Sequence, residues 1–163
     1  MKRIGILSDT HGYLDKKMLD YLAPCDEIWH AGDIGSWEVA QRLSELRRLR
    51  AVYGNCDGGD LRIVYTEKLR WRCEEADILM THIGGSPGHY APAVREQVFA
   101  RTPHLFICGH SHILKVEYDK RLGMLFINPG AAGLQGWQQV RTMVRLTIEG
   151  RTFKDLEVIE MAR

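Results

Sequence analysis

The stretch Ile4-Gly5-Ile6-Leu7-Ser8-Asp9-Thr10-His11 decides how this chain is read, because a short apolar run passes directly into a carboxylate, a hydroxyl and an imidazole. Ile4 to Leu7 reads as a buried first strand. The same arrangement recurs down the chain. Glu27-Ile28-Trp29-His30 precedes Gly32-Asp33, and Leu49-Arg50-Ala51-Val52-Tyr53 precedes Gly54-Asn55. Ala76-Asp77-Ile78-Leu79-Met80 leads into Thr81-His82, and Leu105-Phe106-Ile107-Cys108 delivers Gly109-His110-Ser111-His112. Carboxylates, imidazoles and an amide are ligands that divalent transition metals accept. Repeated at strand ends, they point to one metal site assembled along one edge of a sheet.

Between the first strands the period changes. Leu14, Met18, Tyr21 and Leu22 recur at helical spacing before Pro24, and Trp37, Ala40, Leu43 and Leu46 mark a second helical face. The opening is therefore β-α-β-α-β, which predicts parallel strands joined by right-handed crossovers. Ligands of open α/β sheets collect beyond the carboxyl ends of the strands, where Asp9, Asp33 and Asn55 fall.

The second half reads differently. A Gly/Pro-rich loop, Gly84-Gly85-Ser86-Pro87-Gly88, follows His82, and a helix is expected from Pro92 to Ala100 with Pro92 near its first turn. Leu114 to Tyr118, Leu122 to Ile127, Val140 to Ile148 and Thr152 to Ile159 read as strands joined by tight turns. Their succession predicts a mostly antiparallel second sheet packed on the first.

Length and composition bound the rest. The 163 residues fit a single domain spanning 1–163, and 45% apolar with 26% charged residues exclude disorder and fibrous structure. A net charge of +1 gives no global attraction to nucleic acid or anionic membrane. Cys25, Cys56, Cys73 and Cys108 form no C-x-x-C pair, which favours reduced thiols. The apolar stretch after Lys2-Arg3 ends at Ser8-Asp9, too short for a signal peptide, so a cytoplasmic protein is the default.

Taken singly, the motifs have local explanations: Asp-x-His and Gly-Asp are frequent in turns and caps, and Asn55-Cys56-Asp57-Gly58 has turn chemistry. Their order is more specific. Asp-x-His, Gly-Asp, Gly-Asn, His and Gly-His-x-His, from Asp9 to His112, resemble the calcineurin-like metallophosphoesterase superfamily. Gly54-Asn55-Cys56-Asp57 and Asn128-Pro129-Gly130 resemble its small single-domain phosphodiesterases of the YfcE type. The resemblance implies an α/β fold of two packed mixed β-sheets flanked by helices, an α-β-β-α sandwich. It assigns Asp9, His11 and His112 to one divalent ion, and Asn55, His82 and His110 to a second, with Asp33 bridging. It further implies hydrolysis of a small phosphoester by a hydroxide held between the two ions, with Asp33, Asn55 and His82 in the catalytic centre. Mn²⁺ is the first choice of metal, with Ni²⁺, Fe or Zn²⁺ also compatible with mixed N/O ligation. Homo-oligomers are compatible with the family; a membrane partner is not expected, and nucleic acid is not the expected substrate.

The chain also departs from the pattern. Larger relatives carry a His after the Gly-Asn that protonates the leaving group; here the residue is Cys56, read as a small filler beside the site. His89, in the loop after His82, is the candidate substitute, against the plainer reading of an exposed loop histidine. His30 and His104 read as structural or exposed. Ala131-Ala132 stands where relatives often have Ser, which removes a hydroxyl contact to substrate. Arg42, Arg47, Arg48 and Arg50 read as the solvated end of an amphipathic helix rather than a phosphate-binding patch. A non-catalytic scaffold of the same fold, like the retromer subunit, is the alternative function, and a nuclease a weaker one.

Overall fold

The computed structural model describes residues 1–163. The first half comprises β1 (Lys2–Leu7), α1 (Lys16–Leu22), β2 (Glu27–His30), α2 (Trp37–Leu46) and β3 (Arg48–Ala51). Both helices start where the sequence supplies a cap: the Asp15 carboxylate accepts from the Met18 N–H, and the Ser36 hydroxyl from the Val39 N–H. β1 pairs parallel with β2, and β2 with β3. The chain continues through α3 (Asp60–Val64), β4 (Lys68–Cys73), β5 (Ala76–Thr81), β6 (Gly85–Ser86), β7 (His89–Tyr90) and α4 (Pro92–Ala100). It ends with β8 (Leu105–Ile107), β9 (Leu114–Asp119), β10 (Met124–Pro129), β11 (Val140–Glu149) and β12 (Thr152–Ala162).

Two five-stranded sheets result, in the orders β12-β11-β1-β2-β3 and β4-β5-β8-β10-β9. Both are mixed, so the expectation of a mostly antiparallel second sheet does not hold. β8 runs parallel to β5 and to β10, because α4 carries the chain back across the sheet between β5 and β8. The last hairpin leaves that sheet altogether, and β11 pairs antiparallel with β1. The cause is that β11 is buried on both faces. Met143 joins the core under α1 and α2, while Val144, Leu146 and Ile148 join the core between the sheets. A strand buried on both faces gains most in an inner position, which β11 occupies between β1 and β12.

Three apolar clusters define four layers. Ile4, Ile6, Trp29, Ile78, Met80, Leu105 and Ile107 fill the space between the sheets. Leu7, Met18, Leu22, Ile28 and Leu43 pack α1 and α2 on the first sheet, and Val94, Val98, Phe106 and Phe126 pack α4 on the second. Trp71 on β4 meets Trp29 edge-on with ring centroids 4.8 Å apart. The short α3 and the β6–β7 ribbon are not foreseen from the sequence, since elements this short carry no period.

Candidate metal centre

The carboxyl ends of β1, β2, β3, β5 and β8 deliver Asp9, Asp33, Asn55, His82 and the His110–His112 pair to one edge of the sandwich. Ligating atoms of Asp9, His11 and His112 form one group close enough to share an ion, and those of Asp33, His82 and His110 another. The two groups interlock. His112 Nε2 lies 3.1 Å from Asp9 Oδ1, and His82 Nε2 lies 3.1 Å from Asp33 Oδ2 and 3.8 Å from Asp9 Oδ1. His11 Nε2 is 3.7 Å from Asp9 Oδ1 and 3.6 Å from Asp33 Oδ2. Asn55 Oδ1 stands 3.1 Å from His110 Nδ1. Asp33 thus sits where the two groups meet.

The backbone shows the strain of bringing these groups together. Asp9, His11, Asp33, His110 and His112 all have left-handed φ, between 45° and 72°. Only seven non-glycine residues in the chain do so, and five of them are here. Such conformations cost about 1–2 kcal/mol per L-residue and persist where the surroundings over-determine them. Two glycines allow the close approach. A Cβ on Gly109 would meet the Ser8 hydroxyl at 2.1 Å, and one on Gly54 would meet Asp33 Oδ1 at the same distance.

Each carboxylate has one oxygen anchored and one turned to the centre. Asp9 Oδ2 accepts from the Ser8 hydroxyl at 2.7 Å and the His110 N–H at 3.1 Å, and Asp33 Oδ1 accepts from the Cys56 N–H at 2.9 Å. Asp9 Oδ1, His11 Nε2 and His82 Nε2 are buried without any hydrogen-bond partner. Left as they are, such atoms cost about 1–3 kcal/mol each. Three lone-pair donors buried together and facing one another fit a cation. Burial opposes ionisation of both carboxyls, but the imidazoles of His11 and His112 hold Asp9 well below its ordinary value, and His82 does the same for Asp33. Burial opposes the charged form of His82 too, yet Asp33 and Asp9 raise its pKa; Asp9 raises that of His112.

The outer contacts fix the rings. His82 Nδ1–H donates to the Ala31 carbonyl at 2.8 Å, so Nε2 faces inward. His112 Nδ1 lies 3.3 Å from Gln138 Oε1, which orients that ring from the loop after β10. Asp57 is buried and accepts from the N–H groups of Ile34, Gly35 and Gly54, tying the Asp33 loop to the Asn55 loop. Asn128 donates to the Gly109 carbonyl and the Ser111 hydroxyl, shaping the loop that carries His110 and His112. His30 is buried with Nδ1 accepting from the Gly32 N–H, so its Nε2–H donates to Thr10 Oγ1. Burial pushes its pKa down to about 4. Sequence reading passed over Gln138 and the anchoring roles of Asp57 and Asn128; only the turn chemistry of the last two was visible.

Cys56 lies beside the site, exposed at its rim, and its Sγ is within ligating reach of His11 and Asp33. Asn55 and His110 are exposed as well, so the centre opens to solvent on this side. His89 is exposed on β7 and lines a cavity of about 370 Å³ with Arg95, Phe99, Asp119 and Arg121, to which none of the seven ligand candidates contributes. Two of the four arginines are engaged within the fold: Arg47 donates to the carbonyls of Cys25, Leu46 and Ala23, and Arg50 pairs with Glu27.

The layers and the gathered N/O donors define a metal-binding α-β-β-α sandwich. The calcineurin-like phosphoesterase superfamily domain matches residues 1–151, and the chain belongs to this family. It is 27% identical over 168 residues to a protein of Methanocaldococcus jannaschii described as a probable metallophosphoesterase, covering 96% of this chain and 81% of that one. An archaeal phosphodiesterase structure shares the fold, with a TM-score of 0.77, 23% identity and coverage of 98% and 99% of the two chains. So does Vps29 of Entamoeba histolytica complexed with Zn²⁺, at TM-score 0.73, 18% identity and coverage of 97% and 98%. No helix of the chain is long and apolar enough to cross a membrane.

Proposed function

We propose that this protein is a phosphoesterase that uses two divalent ions, Mn²⁺ first among them, to hydrolyse phosphodiesters or phosphomonoesters with activated leaving groups. The observation that carries the reading is the set of buried, unpartnered Asp9 Oδ1, His11 Nε2 and His82 Nε2 atoms converging beside Asp33. Asp9, His11 and His112 would hold one ion, and Asn55, His82 and His110 the other, with Asp33 shared. When bound, such ions supply an activated water and charge stabilisation for phosphoryl oxygens. The chain's own part is to present two carboxylates among neutral imidazoles and an amide, so that the loaded centre keeps a positive remainder that attracts phosphate. His82 and His112 contribute by ring orientation, set by Ala31 and Gln138. His89 has no part in this reading, since it lines a separate cavity.

Leaving-group protonation is the weak point of the site. Partial desolvation at the rim and the neighbouring Asp33 carboxylate raise the pKa of Cys56, which makes its thiol a weak acid. Rates therefore depend steeply on leaving-group acidity, and aryl esters turn over faster than alkyl esters. Cys56→His flattens that dependence and accelerates poor leaving groups by about 10²-fold; an unchanged slope, with chemistry rate-limiting, contradicts this.

The main test is metal-by-metal hydrolysis of phosphomonoesters, phosphodiesters and cyclic nucleotides, with Asp33→Ala as control. Metal-dependent hydrolysis abolished in the control is expected. Bound metal with no hydrolysis of any ester would favour the scaffold alternative, which the Vps29 likeness keeps in view.

A further inference from the structure

We propose that the cavity beside Asn55 and His82 binds one ester arm of the substrate, and that this arm is nucleoside-like, planar and rich in hydrogen-bonding groups. The inference deepens the phosphoesterase reading and rests on it for the position of the phosphate. The cavity measures about 540 Å³ and shares Asn55 and His82 with the metal centre. That is far more room than a phosphate needs and within the range of pockets that enclose small organic ligands. Tyr53 and Arg62 line it, as do Ile83, Ala93 and Glu67.

Arg62 is the group that sets the chemistry. Its Nε donates to the Asp57 carbonyl, and Nη2 donates to the carbonyls of Gly54 and Asn55 at 3.5 and 3.3 Å. The guanidinium lies 4.6 Å from the centre of the Tyr53 ring. Held at these points, it is already positioned before a ligand arrives, while Nη1 makes no hydrogen bond to the protein and keeps its donors for one. Glu67 supplies an acceptor for hydroxyl or amino groups, and Ile83, 45% exposed, supplies an apolar wall. An alkyl arm would use neither Arg62 Nη1 nor the Glu67 carboxylate, both of which line the cavity. A flat arm with both donors and acceptors matches all three features at once.

The test is calorimetric titration of the Mn²⁺-loaded protein with inorganic phosphate and with thymidine 5′-monophosphate. The wild type is expected to bind the nucleotide about tenfold more tightly than phosphate or better, equivalent to about 1.4 kcal/mol. Arg62→Ala, and Ala93→Trp placed in the cavity from the exposed first turn of α4, bring the ratio of the two dissociation constants toward one. Arg62→Lys restores it only in part, because the fork is lost while the charge remains. Thermal melts of each variant confirm folding. Equal affinities in the wild type, or a ratio that neither Arg62→Ala nor Ala93→Trp changes, overturn the inference even if aryl phosphodiesters are hydrolysed. Nucleotide preference without hydrolysis of any ester instead keeps the binding site and removes the phosphoesterase reading. Failure to bind phosphate at all overturns both.

Discussion

The two ends of the same parallel strands treat a buried carboxylate in opposite ways. At the amino end, Glu27 is 2% exposed, yet it accepts from Lys2 at 2.8 Å, from Arg50 at 2.9 Å and from the Trp29 indole N–H at 3.0 Å. Burial opposes its ionisation, but Lys2, Trp29 and Arg50 prevail and bring its pKa down to about 2. At the carboxyl end, Asp9 is equally buried and also ionised, but its Oδ1 has no hydrogen-bond partner and faces the bare Nε2 atoms of His11 and His82. The difference shows that a buried charge does not by itself mark a site. Unpartnered lone pairs do, because a folded chain leaves them only where something else is to occupy the space between them.

The largest effect expected from this contrast comes from substituting each end in turn. Asp9→Asn should weaken metal binding by about 10³-fold or more, since a structural carboxylate ligand is lost, while the melting temperature of the metal-free protein changes little. Glu27→Ala should do the reverse. It leaves Arg50 and Lys2 without their anion and lowers unfolding stability by about 3 kcal/mol, with metal affinity unchanged in a titration. If Glu27→Ala lost metal as Asp9→Asn does, the two ends would not be independent.

A second prediction uses His30, which belongs to the metal end yet is fully satisfied. Its pKa is about 4 when folded and lies near 6.5 when unfolded, so the unfolded chain takes up the proton first. Its contribution is complete above about pH 6.5 and is lost as pH falls toward 4, by about 3 kcal/mol in total. Urea denaturation across that range should show a flatter pH dependence in His30→Gln than in the wild type. Parallel curves would mean that His30 is not the group that responds.

The smallest effect concerns the outer contact of His112. Gln138→Ala frees that ring to turn and should reduce metal affinity by about tenfold, readable by competition with a chromogenic chelator. An unchanged affinity would show that Asp9 alone orients the ring.

Much of the centre was legible in the chain because its ligands follow strands closely: Asp9, Asp33 and Asn55 come after strands of the first sheet, and His82, His110 and His112 after strands of the second. The parallel opening and the convergence of Asp9, His11, Asp33, His82, His110 and His112 all follow from that local relation. Other features have no local signature. Alternation in β11 and β12 shows which residues face a core but not which sheet they join, and the first sheet was decided by burial on both faces of β11. Asp57 reaches Ile34 across 23 residues and Gln138 reaches His112 across 26, through single contacts that no period announces. The sequence by itself determined the ligand chemistry and the edge that bears it, since both are consequences of strand ends. Only the tertiary structure decided which loops brace that edge, where His89 lies and which cavity opens beside it, because those depend on distant segments meeting in space.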